Sequence, residues 1–197
     1  MPREDYAPRW RDIVTEFDHQ VETRVYDDPI AGSLAAFWIT QRRVIRAMVA
    51  RADQLGRALR QRAGPFVLCH TDLHAGNVLL SANGGELAIV DWDEAIFAPK
   101  ERDLMFVGGG VGAIWDGAHE EALFYEGYGP TEIDPLALPY YRYERIVADL
   151  AAYGAQIFGA QGSVEDREHG LEGLMGQFLP LPNRVVEIAH RTYQQLP

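Results

Sequence analysis

The chain has 197 residues, 47% of them hydrophobic and 24% charged, with a formal net charge of −11. That is apolar material enough for the core of one domain, and the acidic balance argues against nucleic acid and anionic membrane as partners. No apolar run reaches the ~18–20 residues that a bilayer span requires, and Met1-Pro2-Arg3-Glu4-Asp5 has no secretory character, so the expected location is the cytoplasm.

Residues from Met1 to about Asp28 predict a short amphipathic helix, because Trp10, Ile13, Val14, Phe17 and Val21 recur at helical spacing. Asp28-Pro29 then reads as an N-cap followed by proline in the first turn. A long helix follows, striped by Leu34, Phe37, Trp38, Ile45, Met48, Ala52, Leu55 and Leu59. Arg42, Arg43, Arg46, Arg51 and Arg57 fall largely off that stripe, and Gly64-Pro65 stops the helix. The period then changes. Phe66–Cys69 predicts a short buried strand, with Cys69 as a small buried hydrophobe. A single cysteine forms no internal disulfide, in keeping with a reducing compartment. Asn77–Leu80 and Glu86–Val90 predict a hairpin about the turn Asn83-Gly84-Gly85. Beyond Arg102 the chain reads as helices at Asp103–Val111, Ala118–Gly127, Asp134–Phe158, Glu165–Phe178 and Pro182–Tyr193. In the longest of these, Tyr140, Tyr143, Ile146, Val147, Leu150, Ala151 and Gly154 form a packing face.

Two polar clusters, His70–Asn77 and Asp91–Asp93, stand at strand ends, where rigid elements carry catalytic groups. Phosphoryl transfer needs a carboxylate to orient the attacking hydroxyl and hard oxygen ligands to hold magnesium on the phosphates. Asp72, Asn77 and Asp91 have the spacing to supply these, with the hairpin bringing them together. His70, Asp72 and His74 also fit a metal-hydrolase reading. That reading needs further ligands, and His19, His119, His169 and His190 have no matching partner motif.

The run His70-x-Asp72-x-x-x-x-Asn77, with Asp91 in Ile-Val-Asp-Trp-Asp and then Arg102-Asp103-Leu104, resembles the catalytic core of the aminoglycoside phosphotransferase and choline kinase group, which shares the protein-kinase fold. From about Trp10 to Gly110 the likeness is to the spectinomycin phosphotransferase branch of that group. The resemblance implies an α+β, mainly α chain: the C-terminal lobe of the protein-kinase-like fold, with a small β-hairpin at the catalytic loop and the N-terminal β-lobe absent. No lysine precedes Lys100, the only one in the chain, and no glycine-rich loop precedes Asp72. Residues 1–65 are then a helical entry segment, 66–100 the catalytic loop and metal hairpin, and 101–197 a helical subdomain.

The same resemblance implies ATP and Mg2+ as cofactors. It makes Asp72 the catalytic base, Asn77 and Asp91 the magnesium ligands, and Leu79 and Val90 the floor of the adenine pocket. His70 and Asp103 would hold the loop. His74 is read as a loop residue near substrate, Asp93 as either a second metal contact or a structural group, and Trp92 as a packing residue. The implied substrate is a hydroxyl of a small cationic molecule such as an aminoglycoside or aminocyclitol. A second reading is a truncated, catalytically weak member that binds or oligomerises, with an identical copy or a complementing N-lobe as partner.

Two further features read as structural. Gly108-Gly109-Gly110-Val111-Gly112-Ala113 matches a dinucleotide-binding pattern but follows a predicted helix start, so close helix packing is the expectation. The acidic residues of the tail read as a solvated helix face rather than a polyamine pocket.

Overall fold

Helices α1 (Arg9–Thr23) and α2 (Pro29–Arg60) open a computed structural model that describes residues 1–62, 64–111, 118–179 and 184–196. The Asp28 carboxylate caps α2 by accepting the Ile30 N–H at 3.0 Å, and Pro29 fits the first turn, where its missing N–H costs nothing. Of the expected stripe along α2, Leu34, Trp38, Ile45, Met48, Ala52, Leu55 and Leu59 are buried, and Phe37 is only partly buried, against the Phe178 ring.

On α1 the buried positions differ from the apolar pattern. Val14 and Val21 are inside, but so are Arg11 and Asp18, whereas Trp10 is 43% exposed. Hydrogen bonding makes those burials affordable. Arg11 donates to the carbonyls of Ala52 and Tyr6, each at 2.9 Å. Asp18 accepts from Trp38 Nε1 (3.2 Å), Arg42 Nε (2.9 Å) and Arg46 Nε (2.8 Å).

The remaining helices are α3 (Glu101–Leu104), α4 (Ala118–Tyr128), α5 (Ala137–Phe158), α6 (Val164–Gly176) and α7 (Val185–Gln194). Helix α5 is the hub: α2 and α1 pack along it, and α6 and α7 dock onto it. Its expected face is buried in full, from Tyr140 to Gly154. Gly154 is needed there, because a Cβ would stand 2.8 Å from Phe17 Cε2. Phe17, Trp38, Tyr26 and Phe158 make a linked aromatic cluster in the core. Ser163 opens α6 with a capping box closed by Asp166.

Four short strands make two antiparallel ladders. Strand β2 (Val78–Leu80) pairs with β3 (Leu87–Ile89), the expected hairpin. Strand β1 (Val67–Cys69) pairs with β4 (Ile96–Ala98), an element the sequence pattern does not announce. Strand β1 is less buried than expected. Cys69 is wholly enclosed, but Val67 and Leu68 are 44% and 49% exposed, so only the end of the strand that runs into the loop is inside.

The expected helix Asp103–Val111 stops at Leu104. Turns follow, and Gly108 and Gly110 adopt left-handed backbone angles that a helix does not contain. Gly112 and Ala113 of the glycine-rich pattern, and the Pro182 start of the last helix, lie outside the described residues. No described helix is long and apolar enough to cross a membrane.

Candidate active site

Strand β1 delivers the loop that begins at His70. Its backbone is held from below by one carboxylate. Asp103, on α3, accepts the His70 N–H through Oδ2 at 2.9 Å and the Thr71 N–H through Oδ1 at 2.7 Å. Thr71 sits at φ +80°, a strained angle for a β-branched residue, so the bracing fixes a conformation the chain would otherwise leave.

His70 is buried, and both its ring nitrogens are spent on backbone. Nε2 bonds the Val90 carbonyl at 2.7 Å, and Nδ1 accepts the Asp72 N–H at 3.3 Å. The tautomer protonated on Nε2 satisfies both contacts. His70 therefore ties the loop to the hairpin and has no nitrogen left for a metal. Among the described residues no group of three or more His, Cys, Asp or Glu could hold an ion, and the His70, Asp72 and His74 set of the hydrolase reading is not such a group. Trp92 packs its edge on the His70 ring at 4.7 Å and donates Nε1–H to the Ile89 carbonyl at 2.9 Å.

Asp72 is the centre of the next set of contacts. Asn77 Nδ2 donates to the Asp72 carbonyl at 2.8 Å and lies 3.4 Å from Oδ2. His74 Nε2 is also 3.4 Å from Oδ2, while its Nδ1 accepts the Gly76 N–H at 3.0 Å. Asn77 closes a single 3-10 turn, Ala75–Asn77, and its carbonyl accepts the Val90 N–H at 3.0 Å. That bond places Asn77 across the hairpin from the residue before Asp91. Asp91 itself adopts φ +67°, a second strained backbone at this spot. Leu79 and Val90 sit on the hairpin, 52% and 36% exposed.

Asp72, Asp91 and Asp93 share the wall of a cleft of about 600 Å³. The cleft floor comes from α5, through Tyr141, Glu144, Arg145, Ala148 and Asp149, and one side comes from the segment Pro2–Trp10. Eight carboxylates line it against four guanidinium groups, so its field favours a cation. Leu79, Val90, Asn77, His70 and His74 do not line the cleft; they stand behind or beside its wall.

Sequence reasoning missed the α5 contribution. Arg145 Nη1 donates to Asp72 Oδ1 at 2.6 Å, and its Nε lies 3.2 Å from Asp149 Oδ1. Gln177 Nε2 in turn donates to Asp149 Oδ2 at 2.8 Å. Burial works against the Arg145 charge, but Asp149 and Asp72 overcome it and push its pKa up. Only spacing along α5 marks Arg145 in the sequence, and spacing does not say what it faces.

Glu144, one residue earlier, is nearly buried, with Arg11 Nη1 3.6 Å away. Burial pushes its carboxyl up to about 7, and Arg11 offsets this only in part. Between the ordinary 4.5 and about 7, the folded chain holds a proton that the unfolded chain has released, so stability falls as pH rises through that window. Glu144→Gln mimics the protonated form. Thermal melts should show it more stable than the parent at pH 8, by about 3 kcal/mol at most, with the gap closing as the pH falls toward the ordinary glutamate value of 4.5.

A loop braced from below, a carboxylate at its tip and a short hairpin on a helical bundle together define the C-terminal lobe of a kinase-like phosphotransferase. The chain belongs to the phosphotransferase enzyme family, whose model matches residues 1–139. It is similar to spectinomycin phosphotransferase, APH(9)-Ia, in two solved structures. Against the complex with ADP and spectinomycin, the TM-score is 0.89 and the identity 41%, over 98% of this chain and 58% of that one. Against the AMP-bound complex, the TM-score is 0.83 and the identity 41%, over 96% of this chain and again 58% of that one. The chain thus spans 58% of the length of this solved relative. A comparison with curated proteins gave no match.

Proposed function

We propose that this chain carries the base and the metal-holding groups of an ATP-dependent phosphotransferase that acts on a hydroxyl of a small cationic molecule. The observation that carries the reading is the Asp72 carboxylate, held at a cleft edge beside Asn77 and sharing the cleft wall with Asp91. Asp72 would accept the proton of the acceptor hydroxyl as its oxygen bonds to the γ-phosphorus and the bond to the departing ADP oxygen breaks. His70 and Asp103 keep the loop in place for that transfer. Leu79 and Val90, apolar and open on the hairpin, suit the flat face of an adenine; Asp93, in the cleft wall, would border the acceptor, and His74, 3.4 Å from Asp72 Oδ2, would stand behind the base.

The donor set fits magnesium. Asn77 turns its Nδ2 to the Asp72 carbonyl, which leaves the amide oxygen for a cation, and Asp91 adds a carboxylate. Mg2+ characteristically takes one or two protein oxygens and completes its shell with water and phosphate, so two ligands suffice. When bound, the ion would neutralise charge on the β- and γ-phosphates. The acidic cleft favours a cationic acceptor, and the ligand of the solved relative, spectinomycin, makes an aminocyclitol the first choice. With these cofactors the expected site of action is the cytoplasm.

The test is calorimetric titration with Mg-ATP followed by turnover assays on aminocyclitols, aminoglycosides and choline. Mg-ATP binding and phosphorylation of an aminocyclitol are expected. Tight Mg-ATP binding with no transfer to any acceptor would refute the small-molecule reading.

One observation favours a second reading, in which the chain docks onto a partner or an identical copy. Leu80, Leu87 and Leu68 are 70%, 61% and 49% exposed on the two ladders, more apolar surface than short strands usually leave open. A mass measurement in solution separates the readings: a monomer that binds Mg-ATP excludes the second.

A further inference from the structure

We propose that Arg145 is a positioning residue for phosphoryl transfer: it clamps the Asp72 carboxylate through Oδ1, so that Oδ2 is the oxygen presented to the acceptor hydroxyl. The proposal rests on the phosphotransferase reading above for the role of Asp72, but the clamp itself is a matter of geometry. The bond from Arg145 Nη1 is 2.6 Å long, whereas Asn77 and His74 approach the other oxygen no closer than 3.4 Å. Arg145 thus makes the one short side-chain bond to the carboxylate among the described residues.

The clamp is itself rigid. Its Nε engages Asp149, which Gln177 fixes from the turn after α6. The guanidinium lies 5.6 Å from the centre of the Phe106 ring. A side chain whose own supports are packed and hydrogen-bonded holds its partner within a fraction of an ångström. Such orientation is what a loose phosphoryl-transfer transition state asks of the protein. Arg145 lies beyond residues 1–139, the stretch that the family model matches.

The test compares the full chain with Arg145→Ala, Arg145→Lys and the bulkier Arg145→Gln, assayed with Mg-ATP and spectinomycin. A misplaced base costs about 10²-fold, so kcat of Arg145→Ala should fall by about that factor, with the spectinomycin KM and the melting temperature little changed. Millimolar guanidinium should restore part of the rate, and Arg145→Lys should outperform Arg145→Ala. Should the alanine variant melt early, Arg145→Gln takes its place. An unchanged kcat overturns the proposal. So does a lower spectinomycin KM with kcat intact, which would mean that Arg145 merely occupies the place of a substrate cation. Crystal structures of parent and variant give a readout free of turnover. Asp72 is expected to leave its parent rotamer in Arg145→Ala, and an unmoved Asp72 overturns the clamp. A parent inactive on every acceptor, with Asp72 displaced in the variant, would count against the phosphotransferase reading and leave the clamp standing.

Discussion

Asp72→Asn should lower turnover by about 10²- to 10⁴-fold, the usual contribution of a positioned general base, while Mg-ATP affinity and thermal stability stay near those of the parent. Asparagine is the informative replacement. Its amide oxygen still accepts from Arg145 and its backbone still bonds Asn77, so the contacts at 2.6 and 2.8 Å survive. What is lost is an oxygen able to take up the hydroxyl proton. Steady-state kinetics with calorimetry on the same preparation make the comparison. Full activity in Asp72→Asn would show that the base has been assigned to the wrong residue.

Asp103→Ala should be the most damaging change away from the cleft. Both carboxylate oxygens accept backbone N–H groups from His70 and Thr71, residues that are 1% and 3% exposed. Removing the carboxylate leaves two buried donors without partners, at about 1–3 kcal/mol each. It also releases Thr71 from its φ of +80°. A loss of about 3–5 kcal/mol in denaturant titrations is expected. Turnover should collapse with it, because Thr71 is the residue before the base. Asp103→Asn retains one acceptor and should fall between the parent and the alanine variant.

Much of this molecule is written in local sequence. Asp28-Pro29 caps α2 because a short carboxylate and a donor-less residue are what a helix start accepts, whatever surrounds it. The stripes on α2 and α5 are periodic enough to name the buried residues. The loop from His70 to Asn77 is legible because its groups must fall at fixed spacing to reach one another. The rest depends on tertiary pairing. Ile96–Ala98 is too short to show a period, and it is a strand only because β1 lies beside it. Arg145 and Asp72 are 73 residues apart, and no local rule brings them together. Trp10 ranks as core by hydropathy, yet Arg11 and Asp18 take the inner positions on α1, since the cost of burying a charge is set by hydrogen-bond partners on other elements. The helix expected to run to Val111 ends at Leu104 and gives way to turns, in which Gly108 and Gly110 take left-handed angles closed to a continuing helix.

Cys69 sits immediately before the catalytic loop, in the strand that delivers it. The thiol is wholly enclosed, with Sγ 3.6 Å from the Ala98 carbonyl and 3.4 Å from that of Pro99, and burial pushes its pKa up to about 12. A group both occluded and protonated at neutral pH reacts with an alkylating reagent only when β1 and β4 part. As the sole cysteine, it makes the chain its own clock: the rate of labelling times how often the base of the catalytic loop comes undone, and a nucleotide that slowed the clock would reveal its grip on the loop without any turnover being measured.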